Sequence, residues 1–357
     1  MSGFREDKGF QDGLAPPAPK RARITKGILS GGGARRASHT AKAKLARVVV
    51  KAPEVMVKIT GKTKGAGHLT AHLEYTSRNG AIPLEMRDGS LLLGRSSIAD
   101  LAENWAHDVN DVGGRRTANH SVSIVLSMPP GTPVAALQDA VRAFADDTFG
   151  GRFDYAFAYH DDTAHPHVHL TVKALGDNRE KLNPRKADLA EWRETFAAKL
   201  RERGIVAEAT PRRARGVTIK HEQMAVRQLK RRGIVSKVEL AAKRDAIGLA
   251  SGKDKALRDW ERASFKRQES IRAAYLKDAA DLSASPEAAD RALGKALTVF
   301  VRDMPAPTSQ RILYAEAMRR EIMALKGEQR LINEKEKGAD QESVQDQSQP
   351  KDKGRGR

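Results

Sequence analysis

Short stretches of alternating apolar and polar residues recur along the chain, and this alternation is typical of β-strands that bury one face. In the first stretch, residues 55–59, Val55, Val57 and Ile59 alternate with Met56 and Lys58. Residues 121–128, 152–160 and 167–174 show the same pattern, and the last two lie close enough in sequence to predict a hairpin.

Apolar residues spaced three or four positions apart predict helices between these strands, at about 68–78, 98–109, 134–144 and 189–200. Glycines end several of them, because glycine readily leaves the helical conformation: Gly80, Gly150 and Gly204 follow the first, third and fourth. The order of elements predicts an α+β fold. We expect a two-layer sandwich in which helices cover one face of a mainly antiparallel sheet.

The rest of the chain predicts tails and a helical extension. Residues 1–50 hold 11 basic and 3 acidic residues, and their apolar residues hardly recur at the spacing of a helix or strand. This composition indicates a disordered basic arm. The folded domain is expected at 51–215, a basic and mostly helical region at 216–335, and a disordered tail at 336–357. Residues 212–244 hold 11 basic and 2 acidic residues, so we expect this segment to contact phosphate groups.

The charge of the chain narrows its class of partner. The 357 residues carry a formal net charge of +19, which favours nucleic acid over its rival, an anionic membrane surface. The chain has no cysteine, which excludes disulfides and thiolate metal sites and is consistent with a cytoplasmic enzyme. It also has no apolar stretch long enough to cross a membrane, so no membrane insertion is expected.

Four of the ten histidines fall within residues 160–169. In the predicted hairpin, His167 and His169 share one face, and the strand parity places His160 on the same face of the preceding strand. Three imidazoles that converge beside the carboxylate of Asp162 predict a metal site, with Asp162 orienting a ligand or acting as a base. His165, held extended by the following proline, is expected to contact the substrate or to be a spare ligand position. The alternative is a surface turn that is merely rich in histidine.

The number and type of ligands indicate which metal ions the site can bind. Three protein ligands leave positions free for a phosphate oxygen, which is the pattern of catalytic sites rather than closed structural ones. We expect a divalent ion, Mg²⁺ or Mn²⁺, while imidazole ligands also suit Zn²⁺, Co²⁺ or Ni²⁺.

The first predicted helix carries a tyrosine away from its apolar side. Leu69 and Leu73 share a face, whereas Tyr75 lies on a polar and basic surface. A tyrosine in that position can attack a phosphodiester and form a covalent protein–DNA ester. The side chains of His68, His72 and Arg78 are expected to hold phosphates nearby. Helix geometry alone leaves open that Tyr75 is a packing residue.

These two motifs together resemble those of the relaxases of conjugative and mobilisable plasmids, in the mobilisation-nuclease branch that includes the border-nicking enzyme of T-DNA transfer. The resemblance covers about residues 55–215. It rests on Leu73-Glu74-Tyr75-Thr76-Ser77-Arg78-Asn79-Gly80-Ala81-Ile82-Pro83-Leu84-Glu85, and on the spacing of His160, Asp162, His165, Pro166, His167 and His169. This chain departs from the family in the long basic stretch that precedes its tyrosine motif.

The resemblance implies a His-hydrophobe-His (HUH) endonuclease fold in which His160, His167 and His169 hold the metal and Tyr75 attacks DNA. The product would carry a 5′-phosphotyrosine and a free 3′-OH. The protein would pilot the strand through a type IV secretion channel and religate it. Accessory relaxosome proteins and a coupling protein are the implied partners, with DNA that is single-stranded at the nick and duplex beside it.

Three competing functions remain open. A rolling-circle replication initiator or transposase shares the chemistry, but a phosphate loop of the form G-x4-G-K-[ST] would favour it, and the sequence has none. A non-catalytic DNA-binding accessory protein would not need Tyr75 and the histidines. A nuclease that uses water would leave no covalent adduct. Two glycine-rich loops, 61–67 and 113–116 with Arg115 and Arg116, are candidates for contacts near the nick.

Overall fold

The computed structural model describes residues 41–111, 119–219, 222–254 and 256–346. Its centre is a six-stranded sheet in which neighbouring strands are antiparallel and the order is β1-β4-β6-β5-β2-β3. The strands are β1 (Met56–Thr63), β2 (Leu84–Met86), β3 (Leu91–Leu92), β4 (Ser121–Ser127), β5 (Tyr155–His160) and β6 (His167–Lys173). The predicted α+β class and antiparallel sheet are confirmed.

Helices precede, separate and follow these strands. They are α1 (Ala41–Val49), α2 (Ala66–Thr76), α3 (Arg95–Asp111), α4 (Val134–Phe149), α5 (Lys186–Glu202), α6 (Met224–Arg231), α7 (Lys237–Ala250), α8 (Asp259–Ser283), α9 (Ala288–Arg302) and α10 (Gln310–Asp346). None of these described helices is long and apolar enough to cross a membrane.

The main core lies between one face of the sheet and helices α4 and α5. Alternate residues of the central strands point into it, among them Ile124 of β4 and Leu170 of β6, which are opposite each other in the ladder. Phe144, Phe149, Trp192 and Phe196 of the two helices fill the space above them with edge-to-face ring contacts. The sheet and these two helices together form the two-layer sandwich that the strand parity predicts.

The second face of the sheet differs from the prediction. Instead of being left open, it is partly covered by α2 and α3, which form a smaller core with the alanines of β5. Leu69 and Leu73 of α2 are fully buried there, against Ala156 and Ala158. The small alanine side chains let a helix approach the sheet closely, and this contact fixes the tyrosine helix on the histidine face.

Strand β1 is longer than predicted. It continues through Gly61 to Thr63, past a bulge between Ile59 and Gly61, so the first part of the predicted loop 61–67 is paired strand. The hydroxyl groups of Thr63 and Ser121 are 2.7 Å apart across the ladder. Strands β2 and β3 were not predicted, because segments of three and two residues show no usable alternation.

The chain divides into two compact units. Unit 1 takes in residues up to Arg215 and also Ile271–Met304, while unit 2 consists of Gly216–Ser270 and the residues from Pro305 onward. The predicted linear division places Ile271–Met304 in the C-terminal region, whereas the structure groups this segment with unit 1. The reason is a separate apolar cluster within unit 1, in which Leu45 and Val48 of α1 pack with Tyr275 and other residues of α8 and α9.

The same cluster corrects the predicted disorder of residues 1–50. Residues 41–49 form α1, whose Leu45 is fully buried and whose Arg47 pairs with the buried Glu208 at 2.7 Å. The other part of the predicted arm, residues 1–40, lies outside the described residues. At the other end, α10 extends to Asp346, beyond the predicted start of a tail at residue 336.

Unit 2 has a polar centre. The carboxylate of Glu261 is fully buried and accepts hydrogen bonds from Arg311 at 2.6 Å and Ser309 at 2.5 Å. Ser309 also caps α10, since its hydroxyl accepts a bond from the backbone N–H of Ile312 at 3.2 Å. Helix α10 therefore begins directly after its capping residue Ser309.

Candidate metal centre and tyrosine site

The hairpin register brings the three predicted histidines together. His160 is directly opposite His167 at the end of the β5–β6 ladder, and His169 is opposite Ala158 two pairs further along. The ring centroids of His160 and His169 are 4.6 Å apart, and each is 5.2 Å from that of His167. One ring nitrogen from each residue lies within 4.8 Å of the others, so the three imidazoles can hold a metal ion.

In two of these three rings, one nitrogen lies beside a backbone carbonyl oxygen, and this contact decides which nitrogen carries the proton. The Nε2 atom of His160 lies 2.6 Å from the carbonyl oxygen of Thr76, and Nδ1 of His167 lies 3.1 Å from that of His165. A carbonyl can only accept, so each of these nitrogens carries the proton and donates it. The lone pairs left free are Nδ1 of His160 and Nε2 of His167, and such orienting bonds are typical of metal-ligand histidines.

The surroundings favour neutral imidazoles. Burial, together with the nearby rings of His160 and His167, lowers the pKa of His169 to about 4. Burial is also the largest cause that lowers the pKa of His160, ahead of the opposing bond to Thr76. Neutral rings with free lone pairs fit a divalent metal ion, because protonated histidine cannot coordinate.

Tyr75 lies beside this cluster and is open to solvent. Its side chain is 69 % exposed, whereas Leu69 and Leu73 of the same helix are buried, so the predicted separation of faces is confirmed. The Tyr75 ring stands edge-on to His169, with ring centroids 6.3 Å apart and planes at 87°. A cavity of about 310 Å³ opens here, lined by Ala71, Glu74, Tyr75, Arg78 and Asn79.

A constrained turn follows the tyrosine helix. Arg78, Asn79 and Gly80 all have positive φ, at 54°, 58° and 83°. At Gly80 a side chain has no room, because a Cβ atom would lie 2.7 Å from the backbone of Gly94. Left-handed conformations of non-glycine residues are costly and cluster at functional sites. Arg78 in this turn forms an ion pair with Asp162, which lies in the histidine loop between β5 and β6. Both side chains are about half exposed.

The other predicted site residues fall into three groups. His72 is half-buried against the sheet, where its Nε2 is 2.8 Å from the hydroxyl of Ser123 and 3.1 Å from that of Thr171. This position differs from the predicted phosphate contact, because both hydroxyls engage the nitrogen and burial lowers the pKa of His72. His68 and His165 are exposed. Arg115 and Arg116 lie outside the described residues.

Sequence reasoning missed several partners in the site. Thr76, Ser123 and Thr171 orient histidines, and no local pattern marks them for that task. A paired second tyrosine would favour a rolling-circle initiator or transposase, and Tyr155 and Tyr159 have the spacing Tyr-x3-Tyr. These two residues are opposite Val172 and Val168, on the face of β5 away from the histidines. They therefore do not form a second pair of nucleophiles at this site.

Comparison with known proteins agrees with this geometry. Residues 90–205 match the family model described as "Relaxase: MobA/VirD2-like, nuclease domain". This part of the chain is therefore similar to the nuclease domain of MobA/VirD2-like relaxases. The match contains the three histidines of the candidate centre and begins after Tyr75. The resemblance inferred from the two motifs is thereby confirmed.

Three curated relatives carry the description "T-DNA border endonuclease VirD2". The protein from Rhizobium radiobacter is 31 % identical over 183 residues, that from Agrobacterium fabrum 30 % over 186, and that from Rhizobium rhizogenes 31 % over 183. Each match covers 46 % of this chain and between 41 and 43 % of the relative. The chain thus matches less than half the length of these relaxase relatives.

One solved chain, from "Molecular Basis of Vancomycin Resistance Transfer in Staphylococcus aureus", is 14 % identical and aligns over 44 % of this chain and 98 % of its own. Its TM-score of 0.30 is too low to bear on the fold of this domain.

Proposed function

We propose that this domain nicks one strand of DNA through Tyr75 and remains attached to the cut end. The observation that carries this proposal is the exposed phenol of Tyr75 edge-on to His169 of the candidate metal centre. A nucleophile and a phosphate-activating centre must be neighbours for transesterification.

In the proposed reaction the Tyr75 oxygen forms a bond to phosphorus while the bond from phosphorus to the 3′ oxygen breaks. The phenol loses its proton, the leaving 3′ oxygen gains one, and the product is a 5′-phosphotyrosine with a free 3′-OH. A divalent ion bound by His160, His167 and His169 would polarise the scissile phosphate. The reverse attack by a 3′-OH religates the strand without an external energy source.

The chain's own residues have distinct tasks in this scheme. Leu69 and Leu73 anchor α2 on the sheet, so Tyr75 is presented at a fixed place. Asp162 is the candidate proton acceptor for the phenol, and its ion pair with Arg78 links the histidine loop to the tyrosine turn. The guanidinium of Arg78 also supplies positive charge beside the cavity that the DNA would enter.

The wider role proposed for the protein follows its relatives. They are described as T-DNA border endonucleases, and we propose a comparable transfer role in which the relaxase acts in the bacterial cytoplasm and pilots the attached strand to a recipient. Accessory relaxosome proteins and a type IV coupling protein would then be partners. The DNA would be single-stranded at the nick with a duplex flank.

The deciding experiment is a denaturing gel of the full chain incubated with Mn²⁺ or Mg²⁺ and a labelled oligonucleotide from its presumed transfer origin. We expect a covalent, protease-sensitive adduct that is absent from Tyr75→Phe. Tyr314→Phe is the matched control, since it removes the same hydroxyl from a helix of unit 2, and its adduct should equal that of the wild type.

The other outcomes separate the competing functions. Cleavage without an adduct would indicate a nuclease that uses water, and Tyr75 would then not be the nucleophile. An adduct that persists in Tyr75→Phe would assign the nucleophile to another residue. Binding without cleavage across all oligonucleotides of the origin would favour a non-catalytic DNA-binding protein.

A further inference from the structure

Helix α10 extends well beyond the helix on which it packs in unit 2. Its first turns lie along α7, and the guanidinium of Arg319 donates hydrogen bonds to the carbonyls of Leu249 and Ala250, the last two residues of α7. From there α10 continues to Asp346, roughly 40 Å further along its axis. Every residue in 320–333 is exposed. This stretch therefore projects away from the packed part of its own unit.

The projecting part of α10 carries an apolar stripe in line with its buried face. Ala315 is buried and Met318 is partly buried where the helix packs within unit 2. At about 100° per residue, Ile322, Leu325 and Ile332 fall on the same side of the helix, and all three are exposed. The five residues follow the alternating spacing of a and d positions in a heptad repeat. The packing face of α10 thus continues past the end of α7, uncovered by any residue that the structure describes.

One polar residue interrupts this stripe. Gln329 occupies the a position between Leu325 and Ile332. When two identical helices pair in parallel, a residue at an a position faces its own copy, and an amide there can hydrogen-bond to its copy. Such a polar residue lowers the stability of a coiled coil while it fixes the register.

The charges beside the stripe indicate its partner. Glu321 and Glu328 lie along one edge, at g positions, and Lys326 lies along the other, at an e position. In a parallel pair of identical helices, each g residue lies beside the e residue of the next heptad on the other helix, so Glu321 of one copy meets Lys326 of the other. An antiparallel pair would instead place the glutamate edges against each other. The edges of α10 are therefore complementary to a parallel second copy.

We propose that the projecting part of α10 is a dimerisation helix that packs in parallel against the same stripe of a second copy of this chain. Such an interface is isologous, because the same patch is used by both copies, so the assembly closes at two chains. The stripe is short and contains one polar residue, so the dimer should form reversibly as the concentration rises. Neither Tyr75 nor the histidines take part, and the proposal stands apart from the DNA chemistry.

The first test is sedimentation equilibrium of the full chain at several concentrations in the micromolar range. The wild type should approach twice its mass of 39.0 kDa as the concentration rises. Leu325→Asp should remain a monomer, because it places a charge in the stripe. Leu331→Asp is the matched control: Leu325 and Leu331 are each 60 % exposed, but Leu331 lies roughly 120° away around the helix. This control should dimerise like the wild type.

Two outcomes of this test would overturn the proposal. One is a wild-type chain that stays monomeric at every concentration, and the other is an equal loss of dimer in both aspartate variants. A gain-of-association variant strengthens the test, since it cannot be explained by misfolding. Gln329→Ile replaces the polar a residue with a β-branched one, which favours two-stranded coiled coils. The dissociation constant should fall at least tenfold, because an isoleucine side chain of each chain becomes buried.

The second test examines the parallel orientation by exchange of charge. Glu321→Lys alone would set lysine beside Lys326 of the other copy, and Lys326→Glu alone would set glutamate beside Glu321. Each variant should therefore dimerise less than the wild type. An equimolar mixture of the two should recover the dimer, because both edges of the mixed pair then join opposite charges. Mixing that brings no recovery would refute the parallel pairing and with it the proposal.

Discussion

At the scale of single residues, the ligand set of the candidate metal centre makes a direct prediction. His169→Ala removes one of the three imidazoles, and we expect Mn²⁺ affinity to fall at least tenfold in isothermal titration calorimetry. Even residues behind the ligands commonly contribute about 10- to 100-fold to metal affinity. His165→Ala is the control, because the exposed His165 ring is outside the cluster. Equal affinities for both variants would contradict the assignment.

The residues of the site also show how far sequence reasoning reaches. Strand periodicity is a local property, so the sequence alone suffices to predict that His160 shares a face with His167 and His169. The bond from His160 to the Thr76 carbonyl joins positions 84 apart, and so does the ion pair of Arg78 with Asp162. Those contacts depend on how α2 lies on the sheet, which no local pattern encodes. The inward turn of His72 was missed for the same reason.

At the scale of elements, the turn after α2 is the most constrained connection near Tyr75. Gly80→Ala should destabilise the fold, because the new Cβ would meet the backbone of Gly94 at 2.7 Å in addition to the cost of φ 83°. Gly89→Ala is the matched control, since Gly89 has φ 82° and no atom within 4 Å of a Cβ. We expect about 1 kcal/mol of destabilisation for Gly89→Ala.

Gly80→Ala should cost about 2 to 3 kcal/mol, since close contacts add to backbone strain. Urea unfolding of both variants measures the difference. Equal stability of Gly80→Ala and Gly89→Ala would contradict the prediction that the close approach of Gly80 to Gly94 excludes a side chain. The Gly80 variant should also form less of the Tyr75 adduct.

The limits of sequence analysis at this scale are physical. The four predicted strands and four predicted helices were long enough to show a period, whereas β2 and β3 were not. The second helical layer was missed because Ala156 and Ala158 alternate with aromatic residues, a pattern that leaves one face of the strand without large side chains. Only in three dimensions do α2 and α3 occupy that space.

At the scale of the whole molecule, the net charge predicts a strong effect of salt on DNA binding. If residues 212–244 neutralise several phosphates, affinity for single-stranded DNA should fall steeply between low and moderate salt, by about 0.7 in slope for each phosphate. Fluorescence anisotropy across that range measures it. A flat profile would contradict the assignment of these basic residues to DNA.

The polar centre of unit 2 predicts how stability depends on pH. Burial alone raises the pKa of Glu261, but hydrogen bonds from Arg311 and Ser309 outweigh it and hold that pKa below the ordinary value of 4.5. A depressed carboxyl pKa stabilises the fold fully above the unfolded value, and this contribution is lost as the pH falls through the folded value. The stability of unit 2 should therefore decline on acidification below about pH 4.5.

Glu261→Gln tests this directly, because it removes the fully buried carboxylate that pairs with the guanidinium of Arg311 at 2.6 Å and leaves that guanidinium with the more exposed Asp254 at 3.1 Å. At neutral pH we expect a loss of about 3 to 5 kcal/mol, as for other broken buried pairs. The difference from the wild type should narrow in acid, where Glu261 itself becomes protonated. Glu316→Gln, on the exposed side of α10, should change stability by less than about 0.5 kcal/mol. A constant difference between Glu261→Gln and the wild type from neutral pH down into acid would show that the charge of Glu261 does not stabilise this unit.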